Sequence, residues 1–93
     1  KFPEDFEANY RIAELLLNQR PKNKADEKRL IEQTIHHLSL AKQSCPESPR
    51  VWYLASWTRF KRFELLRDLN DLNLAVKFAE TALEHAQQIM DID

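Results

Sequence analysis

Glycine is absent from this chain of 93 residues, and cysteine and methionine each occur only once. Phosphate-cradling loops, tight hairpin turns and glycine helix caps need positive φ or a close backbone approach, so the missing glycine argues against all three. The lone cysteine, Cys45, has no partner within the chain for a disulfide, so nothing requires an oxidising compartment. The composition therefore predicts a fold that depends on packing rather than on covalent cross-links.

Long apolar runs are missing as well. None approaches the roughly 20 residues that a membrane-spanning helix needs, and no signal-peptide pattern opens the chain. The net charge of −1 gives no global attraction to nucleic acids or acidic membranes. We therefore expect a cytoplasmic protein without a membrane partner. The length suits a single domain over residues 1–93, and a chain that starts at Lys1 is expected to be a piece of a longer protein.

Apolar residues recur at spacings of three and four, and no segment alternates for long as a strand would. This periodicity predicts an all-α fold with four helices, over about residues 4–18, 25–44, 48–69 and 72–90. The predicted breaks are at Pro21, at Cys45-Pro46 and at Asn70-Asp71, where proline or a capping side chain interrupts the pattern. Ser48 followed by Pro49 predicts the start of the third helix. Short connections between such helices imply antiparallel neighbours.

The chain partly repeats itself. The segment Tyr10–Ala13 matches Trp52–Ala55 at an offset of 42 residues, and Thr34–Ala41 matches Ala75–Ala82 at an offset of 41 residues. A helical period of this length is typical of stacked-repeat proteins, which usually hold other proteins. The repeats run from about 4 to 46 and from about 48 to 90.

These residues resemble the tetratricopeptide repeat, a helix-turn-helix unit of 34 residues. Trp52–Ala55 is similar to the signature of its first helix, and Ala75-Val76 and Ala82-Leu83 are similar to the small-residue pairs of its second helix. Pro46 matches the proline that closes a unit. The period here is about eight residues longer, or roughly two helical turns, and HEAT and armadillo repeats have periods nearer to it. The small-residue pairs favour a tetratricopeptide-like fold.

The resemblance implies that the first helix of each repeat lines a groove for a peptide or helix of a partner protein. The matching positions are Tyr10, Glu14, Leu17 and Asn18 in the first repeat, and Trp52, Ser56, Arg59, Phe60, Phe63 and Arg67 in the second. Helical geometry places the last six on one arc about 100° wide. Aromatic rings give large rigid contact areas and arginine binds carboxylates, so we expect an acidic protein or peptide as the partner.

An alternative assigns the same aromatic stripe to packing. The chain would then be a structural spacer or a regulatory helical appendage, with the stripe covered by neighbouring repeats or by the partner in a homodimer. The opposite side of the third helix would still supply a local core, formed by Val51, Leu54, Ala55, Leu65, Leu66 and Leu69.

Other classes of function have less support. The run 59–63 combines basic and aromatic residues, as single-stranded nucleic-acid sites do, but the acidic fourth helix is expected to neutralise it. His36 and His37 are adjacent, so they diverge on a helix and do not form the i, i+4 pair of a helical metal site. No base is placed by sequence to activate Cys45. We therefore expect no enzyme, no metal site and no cofactor.

Overall fold

In the computed structural model, which describes residues 3–91, four α-helices make up almost all of the chain. The helices are α1 (Pro3–Asn18), α2 (Lys24–Ser44), α3 (Pro49–Leu66) and α4 (Leu69–Asp91), with no strand in the described part. The predicted all-α class and the number of helices are therefore confirmed.

Local capping explains the start of α2. The side chain of Asn23 accepts a hydrogen bond from the backbone N–H of Asp26 at 2.8 Å, which satisfies one of the free amides at the helix end. The Asp26 carboxylate in turn accepts from the backbone N–H of Lys22, and this bond and the Arg29 guanidinium lower the pKa of Asp26. Pro49 is at the start of α3 as predicted, although the Ser48 side chain makes no capping hydrogen bond.

The break between α3 and α4 comes earlier than the sequence predicted. α3 ends at Leu66 because Arg67 adopts a left-handed conformation with φ of 59°, and its N–H bonds to the carbonyl of Phe63 at 2.7 Å. The Asp68 side chain then accepts from the backbone N–H of Asn70 at 3.0 Å. The prediction that Asn70-Asp71 form the break was therefore wrong, and Asp71 lies inside α4.

The helices pack in chain order, α1 on α2, α2 on α3 and α3 on α4, and α1 also touches α3. This sequential packing gives a flat, elongated body with extents of 46 × 28 × 17 Å. In such a body, the backbone of α4 approaches only that of α3, whereas the backbones of α2 and α3 each approach two or more helices.

The main core lies where α1, α2 and α3 meet. Its buried members are Phe6, Tyr10, Ala13, Leu38, Ala41, Val51 and Ala55. Three of these are alanines, and their short side chains let the helix axes approach closely. Thr34 and Thr58 are also fully buried, and each hydroxyl donates to the carbonyl four residues earlier at 2.8 Å, so neither is left unsatisfied.

Tyr10 requires a correction. The sequence comparison placed it in a surface groove, but its side chain is only 8% exposed and its ring stacks on Phe6 with 5.8 Å between centroids. The Arg50 guanidinium lies 4.5 Å from the centre of the Tyr10 ring. Tyr10 is therefore a core residue that links α1 to α3.

Candidate protein-docking surface

Much of the predicted arc on α3 faces α4 rather than solvent. The Trp52 ring lies 5.5 Å from Phe78 between centroids, and its indole N–H donates to the carbonyl of Pro46 at 2.6 Å. The Ser56 hydroxyl donates to the carbonyl of Ala75, also at 2.6 Å. These contacts hold α3 against α4, so Trp52 and Ser56 stabilise the helix pair.

Arg59 is also held inside the protein. Its guanidinium binds Asp71 at 3.1 Å, and Arg62 binds the other carboxylate oxygen at 2.8 Å and reaches Glu32 at 3.3 Å. Asp71 is only 1% exposed. Burial disfavours the charge on Arg62, but the hydrogen bonds and charges of Asp71 and Glu32 outweigh it and raise the pKa of Arg62. This cluster joins α2, α3 and α4, and the sequence did not reveal it.

The remaining predicted positions are dispersed. Phe60 is 36% exposed and stacks on Trp57, with Phe63 on its other side. Arg67 lies over Phe63 at the end of α3. On α1, Glu14 pairs with Arg11 at 3.2 Å, and Asn18 is exposed at the last position of the helix. Leu17 lines a small cavity of about 30 Å³ together with residues of α2.

An uncovered apolar surface lies on the other side of the α3–α4 pair. We call it the open face. It comprises Tyr53, Trp57 and Phe60 of α3 and Leu72, Val76, Ala79, Leu83 and Ala86 of α4. Two shallow cavities of about 420 and 470 Å³ run along it and share Tyr53 and Ala79. Tyr53 is 69% exposed, Trp57 51%, Val76 52% and Leu83 65%, so large apolar groups face solvent.

The spacing of these residues is that of a helix-packing seam. In α3 the aromatic residues 53, 57 and 60 are separated by four and three positions. In α4 the apolar residues 72, 76, 79, 83, 86 and 90 alternate between four and three throughout. Spacings that average 3.5 residues keep side chains along the line where another helix can pack.

α4 has a second seam next to the first. Ala75, Phe78 and Ala82 follow the same spacing one position earlier, and they face α3, with Ala75 and Ala82 each 6% exposed. A helix with two adjacent apolar seams can pack against two neighbours. In the described structure only the seam toward α3 is covered.

Sequence reasoning missed Tyr53, Trp57, Val76 and Leu83 as site residues. It assigned Tyr53 to a repeat signature and left Trp57 outside the predicted arc. The 53, 57, 60 spacing was the signal that could have identified this face. The choice between the two sides of α3 depends on where α4 packs, which only the tertiary structure shows.

A second aromatic cluster lies between α2 and α4. The Lys42 ammonium is 4.5 Å from the centre of the Phe78 ring and 5.0 Å from that of Trp52. Burial, followed by the charge of Arg59, lowers the pKa of Lys42. His85 also stacks on Trp52, with centroids 6.4 Å apart. The cluster tethers α2 to the α3–α4 pair through cation–π contacts.

The reactive side chains have ordinary structural surroundings. The Cys45 thiol donates to the Glu47 carboxylate at 3.1 Å, and this bond together with burial raises the pKa of Cys45, which disfavours the nucleophilic thiolate. His37 shares a hydrogen bond with Asn9 at 2.9 Å. Within residues 3–91, no three histidine, cysteine, aspartate or glutamate side chains are grouped as metal ligands would be. None of the described helices combines the length and apolar character needed to cross a membrane.

Comparison of the chain with protein-family models, with curated proteins and with solved structures gives no match. The open face and the contacts around it are therefore the basis for assigning a function.

Proposed function

We propose that this protein is a protein-interaction module that binds an amphipathic helix of a partner along the open face. The observation that carries the proposal is the pair of uncovered seams, which lie side by side on α3 and α4. An apolar helix face laid into the groove between them would remove Tyr53, Trp57, Val76 and Leu83 from water. Full burial of one such side chain is worth about 1.5–3 kcal/mol before the costs of association.

The residue types on this face suit recognition. Tyrosine and tryptophan dominate the energetics of many protein interfaces because they combine large rigid area with a polar group. A groove between two helices that offers anchors at three- and four-residue spacing corresponds to helix-in-groove recognition. The proposal keeps the binding function that the sequence predicted, but it moves the site from the Trp52–Arg67 arc to the neighbouring side of α3.

The repeat architecture is part of the same proposal. We infer two antiparallel hairpins, α1–α2 and α3–α4, that form two tetratricopeptide-like units with a stretched period. Support comes from the pairing of residues across the second hairpin. In α3 and α4, residue 52 contacts 78, residue 56 contacts 75 and residue 59 contacts 71, so the numbers rise along one helix and fall along the other.

The structural-spacer alternative is supported by one observation. Trp52, Ser56 and Arg59 are used in packing against α4 rather than presented to solvent. If a further repeat of a longer chain covered the open face, the seams would belong to a continuous core, as in stacked-repeat proteins. The two functions differ in whether the face accepts a separate molecule.

The direct test is a titration with a designed amphipathic helix of about three heptads. The peptide carries leucine at the first and fourth positions of each heptad, which form its apolar face. Indole N–H signals in NMR spectra distinguish the two tryptophans within one sample. Trp57 is 51% exposed on the open face, whereas the indole N–H of Trp52 is already hydrogen-bonded to the carbonyl of Pro46 and its ring packs on Phe78. We expect saturable binding that shifts the Trp57 signal and leaves the Trp52 signal nearly unchanged.

A matched pair of variants locates the site. Leu83→Glu places a charge in the groove and should weaken peptide binding at least about tenfold. Leu15→Glu is the control, because Leu15 is 67% exposed, much as Leu83 is at 65%, but lies on α1. Equal weakening by both variants, or saturation without a change at Trp57, would contradict the proposal.

A further inference from the structure

Charge on the α3 seam is confined to its two ends. Arg50 lies seven residues before Trp57, and Glu64 lies seven residues after it, so all three occupy the same side of the helix. Arg50 lines the second of the two cavities, and Glu64 is exposed one turn beyond Phe60. The seam is therefore positive at one end, aromatic in the middle and negative at the other end.

We propose that a second copy of this chain covers the open face, with the two α3 helices antiparallel about a two-fold axis near Trp57. This inference rests on the proposed function, because it names the partner of the same surface. A two-fold interface uses the same patch on both copies, so the patch must be complementary to itself. The order of charges along the seam meets that condition only when the two helices run in opposite directions.

Antiparallel packing brings Arg50 of each copy next to Glu64 of the other. The two charges are equidistant from Trp57, about 10 Å on either side at 1.5 Å per residue, so both pairs form at once. Parallel packing would instead place Arg50 beside Arg50 and Glu64 beside Glu64, and like charges at an interface are unfavourable. Charge complementarity therefore selects the antiparallel dimer.

Arg50 changes partners to make this contact. Its present link to Glu7 is 3.4 Å long, and the two side chains are 50% and 49% exposed. Such a surface pair contributes little to stability, so exchanging it for Glu64 of the second copy costs little. Its guanidinium also lies 4.5 Å from the centre of the Tyr10 ring and 5.8 Å from that of Phe6, so the exchange moves it away from these two rings of α1 as well.

Unpaired, the open face leaves several large apolar side chains next to one another in solvent, and contiguous apolar surface of this kind often marks an interaction site. Tyr53, Trp57 and Leu83 are each more than half exposed. A second copy would cover the α3 seam with an identical aromatic seam and bring the flanking α4 seams together. Such a four-helix arrangement is a common way for helices to bury apolar faces.

Sedimentation of the full chain over a range of concentrations tests the inference through a charge swap. The wild type should form a dimer. Arg50→Glu alone and Glu64→Arg alone should each weaken dimerisation about tenfold, because symmetry turns two attractive pairs into two repulsive ones. The double variant Arg50→Glu/Glu64→Arg should restore dimerisation to within about threefold of wild type.

The controls are Arg20→Glu and Glu84→Arg, which change the same charges at exposed positions away from the α3 seam and should leave dimerisation unchanged. Circular dichroism checks that each variant remains folded, and rescue by the double variant excludes loss of folding as the cause.

Three outcomes would contradict the inference. Dimerisation that neither single charge reversal weakens, or a double variant that does not regain dimerisation, overturns the inference. A monomer that still binds the designed peptide at Trp57 overturns it but leaves the proposed function in place. A monomer that binds no peptide overturns both.

Discussion

At the scale of single residues, some basic side chains of α3 bind other helices, whereas others lie on the surface. Arg59 and Arg62 point toward Asp71 and hold three helices together. The sequence shows these arginines as a basic run beside aromatic residues, which is also how a binding site would look. Their binding to Asp71 is what identifies these arginines as structural. Asp71 lies in the first turn of α4, where the sequence suggested only a helix cap.

Replacing Asp71 by asparagine should lower the free energy of unfolding by about 3–5 kcal/mol. The change leaves two arginines near a buried position without their countercharge, and an uncompensated buried charge is costly. Urea denaturation monitored by circular dichroism measures the effect. Asp5→Asn is the control, because Asp5 is exposed on α1 and its loss should change stability by less than about 0.5 kcal/mol. A similar small effect at Asp71 would show that the cluster is not a major source of stability.

At the scale of the secondary-structure elements, the missing glycine has a visible consequence. Helices often end with glycine in the left-handed conformation, and in this chain Arg67 takes that role with φ of 59°. For a residue with a Cβ atom, the left-handed conformation costs roughly 1–2 kcal/mol. The end of α3 therefore carries a local cost, which the bond from Arg67 N–H to Phe63 partly offsets.

Arg67→Gly should therefore raise the free energy of unfolding, by about 0.5–1 kcal/mol, because glycine adopts this conformation without a steric penalty. Thermal unfolding followed by circular dichroism gives the comparison. Arg67→Ala provides the control, since it removes the contact with Phe63 but retains the Cβ atom, and it should not stabilise the protein. An equal gain from alanine would mean that the arginine side chain, rather than the backbone conformation, is the source of the cost.

At the scale of the whole molecule, sequential packing separates a covered side from an uncovered one. The core formed by α1, α2 and α3 is well buried, with Leu38 at 2% exposure, whereas Leu83 on the outer helix is 65% exposed. The same residue type is therefore part of the core in one place and exposed to solvent in the other.

The same substitution at the two leucines should distinguish these roles. Leu38→Ala should lower the free energy of unfolding by about 2–5 kcal/mol, since it removes buried methyl groups and leaves a cavity. Leu83→Ala should change it by less than about 0.5 kcal/mol when measured at a concentration where the chain is monomeric. Comparable losses from both variants in urea titrations would show that the open face contributes to the stability of the monomer.

The sequence alone determined the helical class and most of the helix bounds. Apolar spacing predicts one inward face on α2, formed by Leu30, Ile31, Thr34, Ile35, Leu38 and Ala41, and all of these except the half-buried Ile35 are buried in the structure. Three of the four predicted helix starts lie within one residue of those in the structure, and α3 begins at the proline that marked its start, because start signals of this kind act within a few positions along the chain.

Only the tertiary structure decided which side of each helix is covered. α3 has suitable apolar or aromatic residues on several sides, so its periodicity is compatible with more than one neighbour, and the positions of α1, α2 and α4 assign each side. Burial of Tyr10, the pairing of Asp71 with two arginines and the exposure of Trp57 all follow from that placement. Such contacts join residues that are far apart in the chain. A local sequence pattern does not specify which distant residue will contact a given side chain.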